Sequence, residues 1–279
     1  MNTKEQAFLS VFRALQTREN NDPAWLLSLR EKAADSFATL DFPTTRDEAW
    51  KYTNIAPALK PAYRNATTTD VTGVTDQQLR LLTFAETRHS RLVFINGLYA
   101  AALSDTSALP GQIITGNLAD APATAGAKQL RDHLAAYADH RGDVFTALNT
   151  ASLGDGAFVC IPAGQVIETP IHLHFIATAT DGPVMAHPRA LIVAEPGAMA
   201  TIIESYVSLS DDIYFTNAVT EIVTGAGASI RHFRLQDESE KAFHVGATQV
   251  AQERDSSYTA CAISIGAAIA RHNLNVTLN

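Results

Sequence analysis

The stretch LIVAEPGAMATIIE, at residues 191–204, is followed by a similar one, EIVTGAGASIRHFR, at residues 221–234. A weaker third copy, QVAQERDSSYTACA, occupies residues 249–262. The residues that we align at the turn of each copy, at intervals of 30 and 29, are Gly197, Gly227 and Ser256. A strand, a small-residue turn and a second strand at this interval predict a β-solenoid, because each coil buries its inward face only against neighbouring coils.

The whole segment 153–279 shares this character. Short β-branched and apolar runs, such as IHLHFIAT and AVTEIVT, are separated by Gly, Pro or Asp turn residues, and we find no run with helical length and period. We therefore predict a β-solenoid core over 153–279. An antiparallel sandwich is the alternative, since the short connections fit either fold.

Residues 1–152 are predicted to form a helical subdomain. Apolar residues at helical spacing predict two amphipathic helices that pair with each other. The two stripes are Phe8, Val11, Phe12 and Leu15, and then Trp25, Leu26, Leu29, Ala33 and Phe37. The dipeptide Asn96-Gly97 predicts a short β-hairpin near 91–103, because both residues tolerate the positive φ of a tight turn. Helical patterning returns over 127–152.

The segment TRDEAWKYTN, residues 45–54, combines a helix-start pattern with two aromatic side chains. Thr45 and Glu48 have the spacing of a capping box, which predicts a short helix. We expect Trp50 to pack where this helix meets the helical pair or the end of the solenoid. Lys51 would lay its aliphatic stem along apolar surface. A structural role is favoured over pocket chemistry.

Composition narrows the class of protein. The chain has 279 residues, 46% hydrophobic and 18% charged, with a net charge of −8. This describes a folded protein and disfavours nucleic acid or a membrane as partner. Without a signal-peptide pattern or an apolar span, we expect a cytoplasmic location. Cys160 and Cys261 are interpreted as two reduced thiols, with a disulfide as the alternative.

Two histidine sites are candidates for metal chemistry. His172 and His174 lie two residues apart and should share one face of a strand, as imidazole ligands do. A cupin would also need a Glu a few residues later, and none follows, so a hydrogen-bonded strand face is the favoured interpretation. Stacked coils would bring Cys261 near a histidine such as His272, in the Arg271-His272-Asn273 cluster. One thiol and one imidazole are only half of a cluster ligand set, so inward polar residues that form hydrogen bonds between coils are the favoured interpretation.

Carboxylates provide an enzyme-class alternative, a β-helix glycan lyase or hydrolase. Such enzymes need closely placed carboxylates, and the best set is Asp211 and Asp212 with Glu204 and Glu221. The two aspartates lie in a predicted turn, where acids are common. The sequence GAG at 225–227 lacks the Lys-Ser/Thr and the helix of a nucleotide loop.

Four segments together resemble the SufD proteins of the SufB/SufD family, which belong to the Suf iron-sulfur cluster assembly machinery. They are PTTRDEAWKYTNIAP, RLVFINGLYAAALSD, PGAMATIIESYVSLSDDIYFTNAVTEI and GAAIARHNLNVTLN. The resemblance implies an N-terminal helical region, a right-handed parallel β-helix core and a C-terminal helical region. It also implies pairing with a SufB-like paralogue through the β-helix, and binding of a SufC-like ATPase through the C-terminal region.

The chain departs from this pattern where it ends, at Val276-Thr277-Leu278-Asn279, in what is predicted to be a mid-solenoid strand. We therefore expect a fragment, to which the family's C-terminal ATPase contact and its interface Cys and His residues are not carried over. The prediction is a non-enzymatic scaffold subunit of a SufBCD-type assembly complex. It names no catalytic, cofactor or metal residue; an iron-sulfur cluster would form only in the assembled complex. An open last coil also predicts a homodimer as a second mode of association.

Overall fold

The computed structural model describes Arg13 and residues 22–71, 73–179 and 182–279. The predicted stripe of Phe8, Val11, Phe12 and Leu15 lies outside these residues, and so does its pairing. The described helices are α1 (Ala24–Thr39), α2 (Asp76–Leu82), α3 (Ala127–His133) and α4 (Val144–Ala151). Short 3₁₀ turns connect them, one of them at Glu48–Trp50.

The strands are short in the first half and reach ten or eleven residues in the second. They are β1 (Arg64–Asn65), β2 (Arg91–Ile95), β3 (Leu98–Tyr99), β4 (Ile114–Asn117), β5 (Ala157–Ile161), β6 (Ile171–Ala177), β7 (Val184–Ala186), β8 (Arg189–Ala194), β9 (Met199–Ser208), β10 (Tyr214–Thr224), β11 (Ser229–Glu238), β12 (Phe243–Gln252), β13 (Ser257–Gly266) and β14 (Ile269–Leu278).

These strands form two sheets that face each other. The second sheet has the order β13-β11-β9-β6-β2-β3, and the first contains β1, β4, β5, β7, β8, β10, β12 and β14. Strands of successive coils pair in parallel, and the described antiparallel pairs are β2 with β3 and β4 with β5. The predicted parallel β-solenoid is confirmed, with about four turns. The sandwich alternative is wrong, because hairpins would make neighbouring strands antiparallel.

The strand register corrects one detail of the repeat. Met199, Ser229 and Ser257 lie side by side in one row, so the intervals are 30 and then 28 residues. Asp255, with φ of 57°, therefore occupies the place of Gly197 and Gly227, and the predicted equivalence of Ser256 is wrong by one position. Asp tolerates this left-handed conformation better than most residues do.

Gly225 lies where two coils touch at this turn. A Cβ built on it would lie 2.8 Å from the backbone nitrogen of Pro196 and 3.0 Å from the carbonyl oxygen of Ala194. Because both neighbours are backbone atoms, Gly225→Ala is expected to cost about 1–3 kcal/mol of unfolding free energy. Gly111→Ala is the matched control, since a Cβ there meets nothing within 4 Å. Urea unfolding of both variants tests this, and equal midpoints would contradict the close packing of coils.

The first half of the chain contributes strands to the solenoid itself. β2 pairs in parallel with β6, and β1 pairs with β7. The predicted hairpin is confirmed, with Asn96 and Gly97 at positive φ values of 49° and 83°. Both halves of the chain therefore belong to the same pair of sheets, a feature that the helical patterning of residues 1–152 did not predict.

The second predicted helical stripe is confirmed as α1. Its buried residues include Leu26, Ala33 and Phe37, and the helix packs against α4. Over 127–152, α3 and α4 take up the predicted helical pattern. This layer covers the outer side of the first sheet.

The predicted capping box at residues 45–48 is wrong. Only the 3₁₀ turn Glu48–Trp50 forms, without a side-chain cap. Its preceding residue Asp47 instead accepts hydrogen bonds from the backbone nitrogen of Thr44 (2.7 Å) and from its hydroxyl group (3.1 Å). An Asp that folds back on the preceding turn competes with helix capping. A capping box does form at Thr75 and Gln78, at the start of α2.

Trp50 packs where expected. Its side chain is 8% exposed, and its ring lies 5.5 Å from that of Phe145 in α4. The guanidinium carbon of Arg271, in the last strand, lies 4.2 Å from the centre of the indole ring. Trp50 thus joins the helical layer to the last coil by a cation-π contact.

Removal of this contact has a measurable cost. Arg271→Ala is expected to lower the unfolding free energy by about 1–2 kcal/mol, because a cation-π contact and the packing of the aliphatic stem are both lost. Arg271→Lys should recover part of the loss. Denaturant unfolding followed by tryptophan fluorescence provides the measurement; an unchanged midpoint for Arg271→Ala would show that the contact contributes nothing.

Candidate functional site: the polar interior of the solenoid

The interior of the last coils is polar, although its surroundings are apolar. On β11, the side chains of His232, Arg234, Gln236 and Glu238 are all buried, and they alternate with side chains on the outer face. Because the side-chain period of a strand is two, all four point into the solenoid.

Glu204 of β9 lies at the centre of this network and is 1% exposed. Its carboxylate accepts hydrogen bonds from the hydroxyl groups of Tyr206 (2.8 Å) and Thr220 (2.9 Å), and lies 3.2 Å from His232 Nε2. Burial alone would raise the pKa of Glu204. The hydrogen bond from His232 and the charge of Arg234 outweigh burial and lower that pKa to about 2.

Glu238 forms a second centre in the same interior. It accepts hydrogen bonds from His244 Nδ1 (2.6 Å) and from the hydroxyl group of Thr216 (2.9 Å). The Arg234 guanidinium, 2.5 Å from His244 Nε2, donates to that nitrogen. Burial lowers the pKa of His244, although Glu238 opposes the shift. The imidazole is therefore neutral, and it links the guanidinium to the carboxylate.

The charged groups of this interior are buried and paired with one another. Arg234 lies 3.6 Å from Glu204 and also packs over the ring of Tyr206, at 4.9 Å. Paired charges of this kind order a core and hold its strands in one arrangement. Among the described residues, no three His, Cys, Asp or Glu side chains are grouped so that they could hold a metal ion.

His172 and His174 share one face of β6, as predicted. That face is the outer one, and both side chains are fully buried under the segment before β2. His172 lies within hydrogen-bond distance of Thr87 (3.0 Å) and Ser205 (2.7 Å), and His174 Nδ1 lies 2.6 Å from Ser205. Burial lowers the pKa of both rings, that of His174 to about 3. The rings are neutral and bound to hydroxyl groups, which supports the hydrogen-bonded interpretation over a metal site.

For His272 the structure supports the favoured interpretation, an inward polar residue that contacts the neighbouring coil, and not the alternative approach to Cys261. Cys261 lies in the row of Phe233 on the outer face of the second sheet and is exposed. His272, on the first sheet, faces inward and lies 2.9 Å from the hydroxyl oxygen of Thr248. The two side chains project from different sheets in different directions. Cys160 is also a free thiol, which excludes the disulfide alternative.

The carboxylates of the enzyme alternative lie in three separate environments. Asp211, in the exposed turn with Asp212, pairs with Lys241. Glu204 lies inside the solenoid, whereas Glu221 lies on the outer side of the first sheet and pairs with Arg189 at 2.5 Å. They therefore do not line the two sides of one accessible cleft, which glycoside hydrolysis by a pair of carboxyl groups requires.

Sequence reasoning favoured inward polar residues at the Arg271-His272-Asn273 cluster but missed the network of β9, β11 and β12, although a signal was present. In the run RHFRLQDE, residues 231–238, every residue at an even position is polar and points inward. A coil with an apolar core would instead have apolar residues at these positions. Only the strand register shows which of the two sets is interior, because a shift by one residue would reverse the faces.

Comparison with known families identifies the family of this chain. Residues 2–173 match the family described as "SufBD protein N-terminal region". Residues 175–279 match "SUF system FeS cluster assembly, SufBD core domain". The chain belongs to the SufBD family. The change of family region at residues 173–175 falls inside β6, so both regions contribute to one solenoid.

Individual SufBD relatives support the same assignment. An iron-sulfur cluster assembly SufBD family protein of Synechocystis sp. is 34% identical over 287 residues, covering 98% of this chain and 59% of the relative. SufD of Escherichia coli is 28% identical, covering 85% and 52%. SufB of Bacillus subtilis is 23% identical, covering 82% and 50%. The chain spans between half and three fifths of the length of these relatives. None of the described helices is long and apolar enough to cross a membrane.

Proposed function

We propose that this SufBD chain is a SufD-like, non-enzymatic scaffold subunit of an iron-sulfur cluster assembly complex in the cytoplasm. The observation that carries the proposal is the match to both SufBD regions, in family order, on one continuous solenoid. The cluster is cargo of the assembled complex in this proposal. SufB-like identity is the alternative, since relatives of both names match the chain.

In this proposal the chain acts as a rigid support for its partners. Solenoids built from long parallel strands with paired interior charges deform little, because core packing and hydrogen bonds resist a change of register. A paralogous β-helix would bind against this framework, and a separate SufC-like ATPase would supply conformational work. The interior charges of Glu204, Arg234 and Glu238 would maintain the shape of the coils that contain β9 to β12.

Co-expression tests this proposal. The chain, and a version extended to the length of its relatives, would each carry a tag and be co-expressed with the SufB-type and SufC-type proteins of the same organism. We expect the extended version to recover both proteins and the shorter chain to recover no ATPase. Recovery of the ATPase by the shorter chain would contradict the assignment of that contact. Failure of both versions to bind the SufB-type protein would overturn the scaffold role.

A further inference from the structure

The second sheet carries an uncovered apolar groove on its outer face, called here the outer groove. Its volume is about 570 Å³. The floor comes from β9, β11 and β13, and the wall comes from the segment before β2 and from the residue before β6. The apolar residues that define it are Phe84, Pro170, Ile203, Phe233, Leu235 and Ile263.

The floor leaves large side chains in water. Phe233 of β11 is 43% exposed. Ile263 and Ile265, both on the neighbouring strand β13, are 52% and 54% exposed. Single exposed apolar side chains are ordinary, but contiguous ones on a concave surface mark a binding surface. The floor is therefore a candidate surface for a partner with an apolar face.

The adjacent part of the same face already carries a helix of this chain. Leu79 of α2 packs on Val93, Ile95, Ile176 and Val207, which belong to β2, β6 and β9. The strand order places the centre of the outer groove, β11, two strands from β6. At about 4.8 Å per strand this is about 9.6 Å, within the 8–10 Å that separates packed helices. The outer groove thus continues a helix-covered surface and has the width of one more helix.

The outward side chains of β11 set the length and polarity of that helix. In order they are Arg231, Phe233, Leu235 and Asp237, an apolar pair between a cation and an anion. The distance along the strand from Arg231 to Asp237 is six residue intervals, or about 20 Å, which is the length of about 13 residues of α-helix. A helix carries partial positive charge at its N-terminus and partial negative charge at its C-terminus. Asp237 therefore favours the N-terminus of a bound helix, and Arg231 favours its C-terminus.

We propose that the outer groove binds an amphipathic α-helix of a partner protein, about 13 residues long. Its axis lies along β11, its apolar stripe on Phe233 and Leu235, and its N-terminus toward Asp237. The occupant is thus defined by an apolar stripe with helical spacing and by its direction.

Cys261 makes the proposal directly measurable. It lines the outer groove and is exposed, whereas Cys160 is buried, and burial raises the pKa of that thiol to about 11. An environment-sensitive fluorophore on Cys261 would report titration with a capped 14-residue helical peptide that has leucines at positions 3, 6, 7, 10 and 13. We expect a saturable blue shift, and at least tenfold weaker binding of a scrambled peptide of the same composition.

Variants locate the binding and the direction. Phe233→Ser combined with Leu235→Ser should weaken the peptide at least tenfold, with the circular dichroism spectrum unchanged. Leu81→Ser is the matched control, since Leu81 is 83% exposed and does not line the outer groove. Cys261 lies in the row of Phe233, toward Arg231, so a nitroxide at the peptide's C-terminus should quench the fluorophore more than one at its N-terminus.

Several outcomes would overturn the proposal. Equal binding of both peptides, or no binding at 0.5 mM peptide, removes a specific helix site. A blue shift that rises with protein concentration alone assigns the groove to a second copy. A response only to phosphatidylcholine vesicles assigns it to lipid, and protection of Cys261 in the extended chain assigns it to the protein's own continuation.

Discussion

Glu221→Ala is expected to lower the unfolding free energy by about 3–5 kcal/mol, because it leaves the Arg189 guanidinium buried without its anion. For a chain of this size that corresponds to a fall in Tm of about 6–20 °C. The Glu221 carboxylate also accepts hydrogen bonds from the backbone nitrogens of Ala135 (2.8 Å), Tyr137 (3.0 Å) and Ala138 (3.0 Å). Both side chains of the pair are fully buried. Differential scanning calorimetry measures the effect.

Two controls separate charge burial from general damage. The double variant Arg189→Met, Glu221→Leu removes both charges, and we expect it to be more stable than Glu221→Ala, because no unpaired charge remains. Asp139→Asn breaks the exposed pair with Arg141, and its Tm should stay at the wild-type value. A Glu221→Ala Tm equal to that of Asp139→Asn would show that the buried pair contributes little.

Acidification from pH 6.5 to pH 4 is expected to destabilise the protein steeply. Burial lowers the pKa of His174 to about 3, that of His272 to about 4 and that of His172 well below its ordinary value of 6.5. The unfolded chain therefore binds protons in this window that the folded chain does not bind, so stability is present above pH 6.5 and is lost as pH falls. His187, whose pKa burial also lowers to about 3, acts in the same direction, and each such group contributes about 1.4 kcal/mol per pH unit.

Urea unfolding at pH 7.5, 6.5, 5.5 and 4.5 tests this dependence. The midpoint should change little between the first two values and fall sharply below them. His272→Gln should reduce the slope by about one proton, since it removes one of these groups. A midpoint that stays constant down to pH 4.5 would mean that these imidazoles take up protons in the folded state.

The sequence predicted the solenoid because its coils repeat at turn positions such as Gly197 and Gly227, where few side chains fit. It predicted the hairpin at Asn96-Gly97 for the same local reason. It did not predict that β2 would pair with β6, because that pairing depends on contacts between distant residues. The capping box at Thr45 failed because Asp47 offered the backbone a competing hydrogen bond. The alternative approach of Cys261 to His272 failed because facing direction depends on register, which sequence spacing alone does not determine.

Some features of the candidate site could likewise be predicted from the sequence, and others could not. The shared face of His172 and His174 follows from a period of two, and it was predicted. Their neutral state depends on burial, and the hydroxyl groups that they contact, on Thr87 and Ser205, come from other parts of the chain. The pairing of Glu204 with His232 and Arg234 likewise depends on which coil stacks on which.

The contact between Trp50 and Arg271 has a consequence for synthesis on the ribosome. Parallel pairings between distant segments form slowly, and domains are completed in the order in which they emerge. Here Trp50, in the helical layer made first, contacts Arg271, which is translated long after it, and β1 and β2 pair with the later strands β7 and β6. The nascent chain must therefore keep its early apolar segments from aggregating until the segment that contains Arg271 has left the exit tunnel. Chaperone dependence during translation is the expected result.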